Sequence, residues 1–222
     1  MNSVKIKEIF ESIQGEGPYI GYKQLFIRFC NCNLKCNYCD TDFLSNSDYI
    51  EYNAFDLANK VNKYNDIHSV SLTGGEPLLS VEFLKEFLPL TSKKIYLETN
   101  ATLAEKLLEV KKYIDIVAAD IKLESASGIK NTLKYHDKFF EACKGIETFA
   151  KIVFNKNITD FEIDASCKMA KKYYLPIVLQ PEMGNDTLYV DSEFCENTLN
   201  KFLKYYSNVR LIPQVHKFMN IR

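Results

Sequence analysis

The strongest constraint on the fold is a repeated alternation of two hydrophobic periods along the chain. Short runs rich in branched and aromatic residues predict strands, and segments with apolar residues at helical spacing lie between most of them. Strands are predicted over residues 25–29, 69–73, 94–99, 115–121, 148–154, 175–180 and 209–212. Helices are predicted around residues 57–64, 83–88 and 103–108 and over 158–172 and 192–205. Right-handed crossovers between such strands build a parallel sheet, so we expect an α/β fold that is doubly wound or rolled into a full or partial barrel.

Length and composition exclude a disordered chain. The 222 residues contain no low-complexity tract and no stretch typical of a linker, and they are 46% apolar and 26% charged. These values are close to those of an average globular protein. We therefore expect one folded domain spanning residues 1–222.

The charge pattern narrows the choice of partner. The 28 Lys and Arg residues and the 29 Asp and Glu residues are interspersed and leave a net charge of −1, which does not predict direct nucleic-acid or membrane binding. Lys5, Lys7 and Glu8 interrupt the apolar residues at the N-terminus, and no later segment has the apolar run of a membrane span. We expect a cytoplasmic protein with a small-molecule partner.

Reactive residue types directly follow successive predicted strands. In chain order they are the cysteines within residues 30–39, residues 74–77, residues 98–100, Asp120 and Lys122, residues 180–181, and Gln214 and His216. In barrels of parallel strands the site is built at the carboxyl ends of the strands. These segments are therefore predicted to meet at one mouth.

Three cysteines, Cys32, Cys36 and Cys39, have the spacing Cys-x3-Cys-x2-Cys in a loop after a predicted strand. Four of the seven cysteines fall within ten residues, which indicates metal binding in a reducing compartment rather than a disulfide framework. A structural zinc site needs four ligands, and the nearby fourth thiol is Cys30, which we expect to be buried at the strand end. Three thiolates on an iron–sulfur cubane instead leave one iron open to a substrate or cofactor.

The cysteine loop, with Tyr38 before its last cysteine, and Gly74-Gly75-Glu76-Pro77 after the next strand resemble the radical S-adenosylmethionine (SAM) superfamily. The resemblance implies an incomplete, TIM-like parallel β/α barrel in which Cys32, Cys36 and Cys39 hold a [4Fe–4S] cluster whose fourth iron binds SAM. Two glycines suit such a site because they let the backbone approach a ligand closely. The implied SAM contacts are Tyr38, Gly74, Gly75, Glu76, Thr99, Asn100, Lys122 and Gln180. Strand-end capping is the alternative for Thr99, Asn100 and Gln180.

Over essentially the whole chain the sequence is similar to the 7-carboxy-7-deazaguanine synthase family. Residues 10–17 and 214–217 are the discriminating segments, supported by residues 26–29, 39–42, 98–100, 120–122, 151–153 and 179–181. That family converts 6-carboxy-5,6,7,8-tetrahydropterin to 7-carboxy-7-deazaguanine with loss of ammonia, in 7-deazapurine (queuosine) biosynthesis. The implied reaction uses hydrogen abstraction by a 5′-deoxyadenosyl radical and ring contraction. A homodimer and a flavodoxin-type electron donor are also implied.

The resemblance assigns a Mg²⁺ ligand and a set of substrate contacts. Thr41 would bind Mg²⁺, and its hydroxyl oxygen suits a hard cation. Arg28 would clamp the substrate carboxylate bidentately, and Gln14 and Glu16 would match the amide and amino edge of a pterin. The implied substrate contacts are Ile13, Gln14, Gly15, Glu16, Arg28, Thr73 and His216. The competing interpretations are a surface arginine, a polar turn over residues 14–17, and a structural histidine.

Two rival functions stay open at this point. Activating enzymes for glycyl-radical proteins share the Gln-Gly-Glu-Gly-like start, and a zinc-stabilised binding module would use Cys30 together with the other three cysteines. The sequence also departs from the family pattern. Ala101 stands where glycine usually follows Glu-Thr-Asn, so the turn beside SAM is expected to differ, and Glu182 shifts the usual Gln-Pro-Met segment by one residue.

Overall fold

The structure is a computed structural model that describes residues 2–39, 49–184 and 186–221. The described strands are β1 (Ser3–Ile13), β2 (Lys23–Phe29), β3 (Ile50–Asn53), β4 (Ser69–Gly74), β5 (Ile95–Thr99), β6 (Ile116–Asp120), β7 (Glu147–Phe154), β8 (Ile177–Pro181) and β9 (Val209–Leu211). The described α-helices are α1 (Ala54–Val61), α2 (Val81–Phe87), α3 (Ala104–Val110), α4 (Glu124–Ser127), α5 (Leu133–Ala142), α6 (Asp160–Tyr173), α7 (Ser192–Leu203) and α8 (Val215–Phe218).

All nine strands join one sheet in the order β3-β1-β2-β4-β5-β6-β7-β8-β9. From β2 to β9 every neighbouring pair is parallel, whereas β1 is antiparallel to both β2 and β3. Because β3 and β9 lie at opposite ends of this order, strand pairing within the described residues does not close the sheet. The predicted α/β class and partial barrel are confirmed, and each of the predicted strands forms within about two residues of its expected bounds.

The two faces of the sheet have different characters. On β2, Leu25, Ile27 and Phe29 are buried in the core between sheet and helices, while Phe26 and Arg28 line a cavity on the opposite face. This division follows from the two-residue period of a strand. A smaller apolar cluster lies on the same face as the cavity, toward the amino ends of the strands. It consists of Tyr96, Ile116, Ala118, Phe149 and Val178.

Strand β1 is the largest difference from the sequence-based prediction. Interspersed charged residues conceal its periodicity, and its pairing with β2 shifts register between Ile6 and Glu8, as a β-bulge does. Ile6 is therefore buried in the outer core opposite Phe29, whereas Glu8 stands opposite Arg28. The bulge is what brings the Glu8 carboxylate to the arginine.

Helix α5 was also absent from the predicted elements. Its buried residues are His136, Phe139, Phe140 and Ala142, and the histidine at this apolar face weakens the hydrophobic pattern. In the parts of the chain that the structure describes, no helix is long and apolar enough to cross a membrane.

Candidate active site

A cavity of about 540 Å³ opens at the carboxyl ends of the parallel strands. This is the mouth at which the reactive segments were predicted to meet, and the structure brings them together there. The sequence-predicted residues that line it are Ile13, Gln14, Gly15, Glu16, Arg28, Cys32, Cys36, Tyr38, Cys39, Thr73, Gly74, Gly75, Thr99, Asn100, Lys122, Gln180 and His216. Thr41 lies outside the described residues.

One side of the cavity, which we call the cysteine wall, consists of Cys32, Cys36, Cys39, Gly74 and Gly75. Burial raises the pKa of the Cys32 thiol and raises that of Cys36 to about 11. Cys32 Sγ accepts hydrogen bonds from Leu34 N at 3.5 Å and Asn100 Nδ2 at 3.7 Å. These contacts hold the sulfur in place, and metal binding would displace the thiol protons.

Cys30 does not belong to this wall. It is absent from the cavity lining, and its backbone N–H donates to Lys5 O at 3.1 Å. Among the described residues, no three His, Cys, Asp or Glu side chains are close enough together to hold a single metal ion. Cys32, Cys36 and Cys39 therefore form a set of three on the cavity lining. Three is the number of thiolates that leaves one iron of a cubane open.

The structure shows a second reason for glycine at the two glycine positions of the cysteine wall, one that the sequence did not reveal. Gly74 has φ +109°, and a Cβ on Gly75 would lie 1.7 Å from Asn31 O. Gly75 N donates to Phe29 O at 3.0 Å and Glu76 N donates to Asn31 O at 2.8 Å. The glycines thus let the end of β4 pack directly against the start of the cysteine loop, in addition to lining the cavity.

Glu76 lies behind the cavity wall rather than on its lining, which differs from its predicted contact with SAM. Its fully buried carboxylate accepts from Thr99 Oγ1 at 2.9 Å, Asn100 N at 2.8 Å and Leu78 N at 3.1 Å. Burial raises its pKa to about 7, although these hydrogen bonds act in the opposite direction. Glu76 braces the loop that carries Thr99 and Asn100, so its influence on a ligand passes through those residues.

A second part of the lining, which we call the charged wall, consists of Glu16, Asp120, Lys151 and Gln214. Lys151 Nζ lies 2.7 Å from Glu16 Oε2 and 3.3 Å from Asp120 Oδ2, and Gln214 Nε2 donates to Glu16 Oε1 at 2.7 Å. Burial of Glu16 acts to raise its pKa, but Lys151 and these hydrogen bonds outweigh burial and lower the pKa to about 2. Glu16 is therefore held ionised.

Lys122 connects the two walls. Its Nζ donates to Asp120 Oδ2 at 2.8 Å and to Tyr38 OH at 3.0 Å, and it lies 4.9 Å from the centre of the Tyr38 ring. Burial opposes the charge, but Asp120 keeps the pKa of Lys122 well above its ordinary value. The cysteine loop is thus tied to the charged wall by a buried cation.

The predicted substrate contacts are held in place by neighbouring side chains. Gln14 Nε2 donates to Gln24 Oε1 and Glu98 Oε1, both at 3.0 Å, and Thr73 Oγ1 donates to Glu98 Oε2 at 2.9 Å. Arg28 Nε donates to Glu8 Oε1 at 2.7 Å. These side chains are held before any ligand arrives.

The two ends of the chain meet beside the cavity. Val215 N donates to Gly15 O at 2.9 Å, and a Cβ on Gly15 would lie 2.4 Å from His216 Nδ1. Gly15 is therefore required for the close approach of α8, which carries His216 to the cavity.

Two buried acceptors in the cavity wall have no hydrogen-bond donor among the described residues. Among the described residues, Asp120 Oδ1 and Gln180 Oε1 are buried without a hydrogen-bond partner, and both residues line the cavity. Unpaired buried acceptors are unfavourable, so each of them offers a position for an N–H or O–H group of a bound molecule or of water. Together with three thiols on one wall, these acceptors fit an iron–sulfur cluster and a polar cofactor such as SAM.

Sequence reasoning left several lining residues without a role. Glu98 was expected at the mouth, and Lys151 and Phe10 were noted within family segments, but none of the three was given a contact; Phe149 and Tyr189 were not considered as part of the site. Lys151 lies opposite Asp120 where β6 pairs with β7, and this register could not be read from the sequence.

Ala101 forms the turn directly after Asn100. Its φ is +55°, the left-handed conformation that glycine adopts easily. The position therefore has a backbone conformation that favours glycine although an alanine occupies it, and the expected difference from the family's turn stays a prediction.

Comparison with known proteins places this site. The sequence profile described as Radical SAM superfamily matches residues 26–170. The chain therefore belongs to the radical SAM superfamily. It is 37% identical to a 7-carboxy-7-deazaguanine synthase of Archaeoglobus fulgidus, covering 97% of both chains, and 33% identical to one of Geobacter sulfurreducens, covering 97% of this chain and 96% of the relative. Within the superfamily, the chain belongs to the 7-carboxy-7-deazaguanine synthase family.

A solved structure supports the fold. The crystal structure of QueE from Escherichia coli aligns with a TM-score of 0.63, covering 96% of this chain and 95% of that chain at 19% sequence identity. At this identity the likeness shows the shared fold.

Proposed function

We propose that this protein converts 6-carboxy-5,6,7,8-tetrahydropterin to 7-carboxy-7-deazaguanine with loss of ammonia. The observation that carries the proposal is one cavity that has three thiols on one wall and Arg28 with an ionised Glu16 elsewhere on its lining. A radical source at the three thiols and a binding site for a carboxylated pterin at Arg28 and Glu16 would then share one cavity.

Cys32, Cys36 and Cys39 would hold the [4Fe–4S] cluster. With SAM bound, the site would supply the radical chemistry that removes hydrogen from C6 of the substrate. The residues that we propose to contact SAM from the cavity lining are Tyr38, Gly74, Gly75, Thr99, Asn100, Lys122 and Gln180. Gln180 Oε1, which is buried without a partner among the described residues, would accept from a hydroxyl or amino group of SAM.

The substrate would lie between Arg28 and the charged wall. Because Glu8 occupies Arg28 Nε, the guanidinium is oriented and its terminal nitrogens would bind the substrate carboxylate. Glu16, held ionised by Lys151, would accept from the amino and amide N–H groups of the pterin. Gln14, Thr73 and His216 would complete the pocket.

Further parts of the proposal rest on the family resemblance. Thr41 would supply an oxygen ligand to Mg²⁺, which needs hard oxygen ligands. Thr41→Ala is then expected to weaken the Mg²⁺ dependence of turnover while the iron content stays unchanged, and unchanged Mg²⁺ stimulation would remove this assignment. A flavodoxin-type electron donor, a homodimeric assembly and a cytoplasmic location likewise stay predictions.

The direct test is anaerobic turnover by the reconstituted protein with SAM, a reductant and 6-carboxy-5,6,7,8-tetrahydropterin. Formation of 7-carboxy-7-deazaguanine and ammonia is the expected result. Deuterium at C6 of the substrate is expected to appear in recovered SAM, because the radical first takes the hydrogen and one is later returned. An activase for a glycyl-radical protein would give neither product nor label. Accumulation of 5′-deoxyadenosine without a pterin-derived product would contradict the proposal.

A further inference from the structure

The buried histidine of α5 lies directly behind the cavity wall. His136 is 0% exposed, is absent from the cavity lining, and was not singled out by any sequence motif. Its Nε2 accepts from Lys122 N at 3.0 Å, and its Nδ1 lies 3.1 Å from Ala101 O. One imidazole thus joins the loop after β5 to the loop after β6.

These two contacts determine the proton position on the ring. A carbonyl oxygen needs a donor, so Nδ1 carries the proton, and a peptide N–H needs an acceptor, so Nε2 carries the lone pair. Burial lowers the pKa of His136 to about 4, while the nearby charges of Asp120 and Lys122 act in opposite directions. The ring is therefore neutral at physiological pH.

Both loops joined by His136 carry residues proposed to bind SAM. Thr99 and Asn100 immediately precede Ala101, and both line the cavity, as does Lys122. The backbone carbonyl of Lys122 is held from the same region: Thr132 Oγ1 donates to Lys122 O at 2.6 Å. His136 N in turn donates to Thr132 O at 3.1 Å.

Ala101 gives the connection a particular geometry. Its left-handed φ of +55° turns the chain directly after Asn100, and its carbonyl is the group that His136 Nδ1–H binds. A side chain of another shape at position 136 would leave that carbonyl or the Lys122 N–H buried and unpaired, which is unfavourable.

We propose that His136 is a positioning residue for SAM. By joining the Ala101 carbonyl to the Lys122 amide, His136 sets the spacing between the loops after β5 and β6. The inference rests on the proposed SAM site but does not depend on the pterin reaction. It requires the neutral tautomer with the proton on Nδ1, and it requires both of the hydrogen bonds.

The test compares three variants of His136 that retain different hydrogen bonds. In His136→Asn the amide nitrogen can replace Nδ1–H, in His136→Gln the amide oxygen can replace Nε2, and His136→Phe fills the space and replaces neither. The equilibrium dissociation constant of SAM is measured calorimetrically with the reconstituted protein under anaerobic conditions. His136→Phe is expected to raise it about tenfold, the effect of losing about one net hydrogen bond, and the Asn and Gln variants are expected to raise it less. Iron content is expected to stay unchanged. His68→Asn is the control, because His68 directly precedes β4 at the opposite ends of the strands.

A spectroscopic measurement keeps the inference testable if a variant does not fold. In the protein with its cluster oxidised and its histidines labelled with ¹⁵N, the His136 proton is expected on Nδ1 throughout pH 6 to 8. A proton on Nε2, a titration near the ordinary histidine pKa, or an unchanged SAM dissociation constant in His136→Phe would overturn the inference. Failure of pterin turnover by the unaltered protein would instead count against the proposed function and leave SAM binding measurable.

Discussion

The cysteine wall and the charged wall face the same cavity but are stabilised by different interactions. The cysteine wall depends on backbone approach: Gly75 lies against Asn31, and its own N–H binds Phe29 O. The charged wall depends on side chains, with Lys151 between the carboxylates of Glu16 and Asp120. Substitutions in the first wall should therefore act through packing and ligand loss, and substitutions in the second through uncompensated charge.

The two walls also differ in how their residues are arranged along the chain. The cysteine wall comes from segments that follow β2 and β4, which are neighbours in the sheet. The charged wall combines Glu16 and Gln214, which are 198 residues apart. A local motif can encode the first wall, whereas the second exists only after both ends of the chain meet.

The strongest effect that we expect is the loss of iron binding at the cysteine wall. Each of Cys32→Ala, Cys36→Ala and Cys39→Ala is expected to abolish iron binding, because three thiolates are the minimum set for a site-differentiated cubane. Cys30→Ala is the matched control and is expected to retain iron, since Cys30 does not line the cavity. Iron content and the visible absorbance of the reconstituted protein measure the effect. Equal iron loss from the Cys30 variant would contradict the assignment of three ligands.

The next effect concerns the charged wall. Lys151→Met leaves Glu16 and Asp120 without their shared cation, and breaking a buried pair in this way is expected to lower the free energy of unfolding by about 3 kcal/mol. Urea unfolding measures the change. Lys168→Met removes an exposed lysine that pairs with Asp164 and is expected to change stability by less than about 1 kcal/mol.

The pH dependence sharpens this prediction. In the unaltered protein the Glu16 pKa is lowered from 4.5 to about 2. Its stabilisation is therefore fully present above pH 4.5 and is lost as the pH falls toward 2. In Lys151→Met the largest contribution that opposes burial is lost and the Gln214 hydrogen bond remains, so the Glu16 pKa is expected to rise and stability to increase when the pH is lowered from 8 to 5. A variant whose stability is the same at both pH values would contradict this account of the charged wall.

A smaller effect concerns the arginine that lies outside both walls. Arg28→Lys is expected to raise KM for the pterin about ten- to a hundredfold, the loss of roughly 1.5–3 kcal/mol of charge-assisted hydrogen bonding. Lysine cannot bind Glu8 and a carboxylate with the geometry of the guanidinium fork. Arg210→Lys on the distant strand β9 serves as the control. An unchanged KM in Arg28→Lys would mean that the arginine does not clamp the substrate.

The smallest effect concerns the turn behind the cysteine wall. Ala101→Gly removes a Cβ from a left-handed residue, so the relief of roughly 1 kcal/mol offsets the greater entropy of glycine, and stability is expected to change by less than about 1 kcal/mol. Ala58→Gly is matched in burial but lies within α1, and it is expected to lose about 1 kcal/mol. Thermal and urea unfolding measure both variants. An equal loss at the two positions would show that the turn at Ala101 carries no strain.

The strand–helix alternation, the parallel sheet and the cysteine wall could all be predicted from the amino-acid sequence. Each of these follows from local information: the hydrophobic period of the strands, the cysteine spacing, and the Gly74-Gly75 pair at the end of the next strand. Because the carboxyl ends of parallel strands lie on one side of a sheet, local motifs at those ends predict a shared site without knowledge of the side-chain contacts.

The contacts that hold these residues in place became visible only in the folded structure. Strand β1 carries too many charged residues for its period to be visible, and its bulge alone brings Glu8 to Arg28. Glu76 was expected on the cavity surface, yet three donors bind it behind the wall. His136 carries no motif, because its role depends on a donor and an acceptor that lie 14 and 35 residues away. Contacts of this kind arise from the packing of distant segments, which no local sequence pattern encodes.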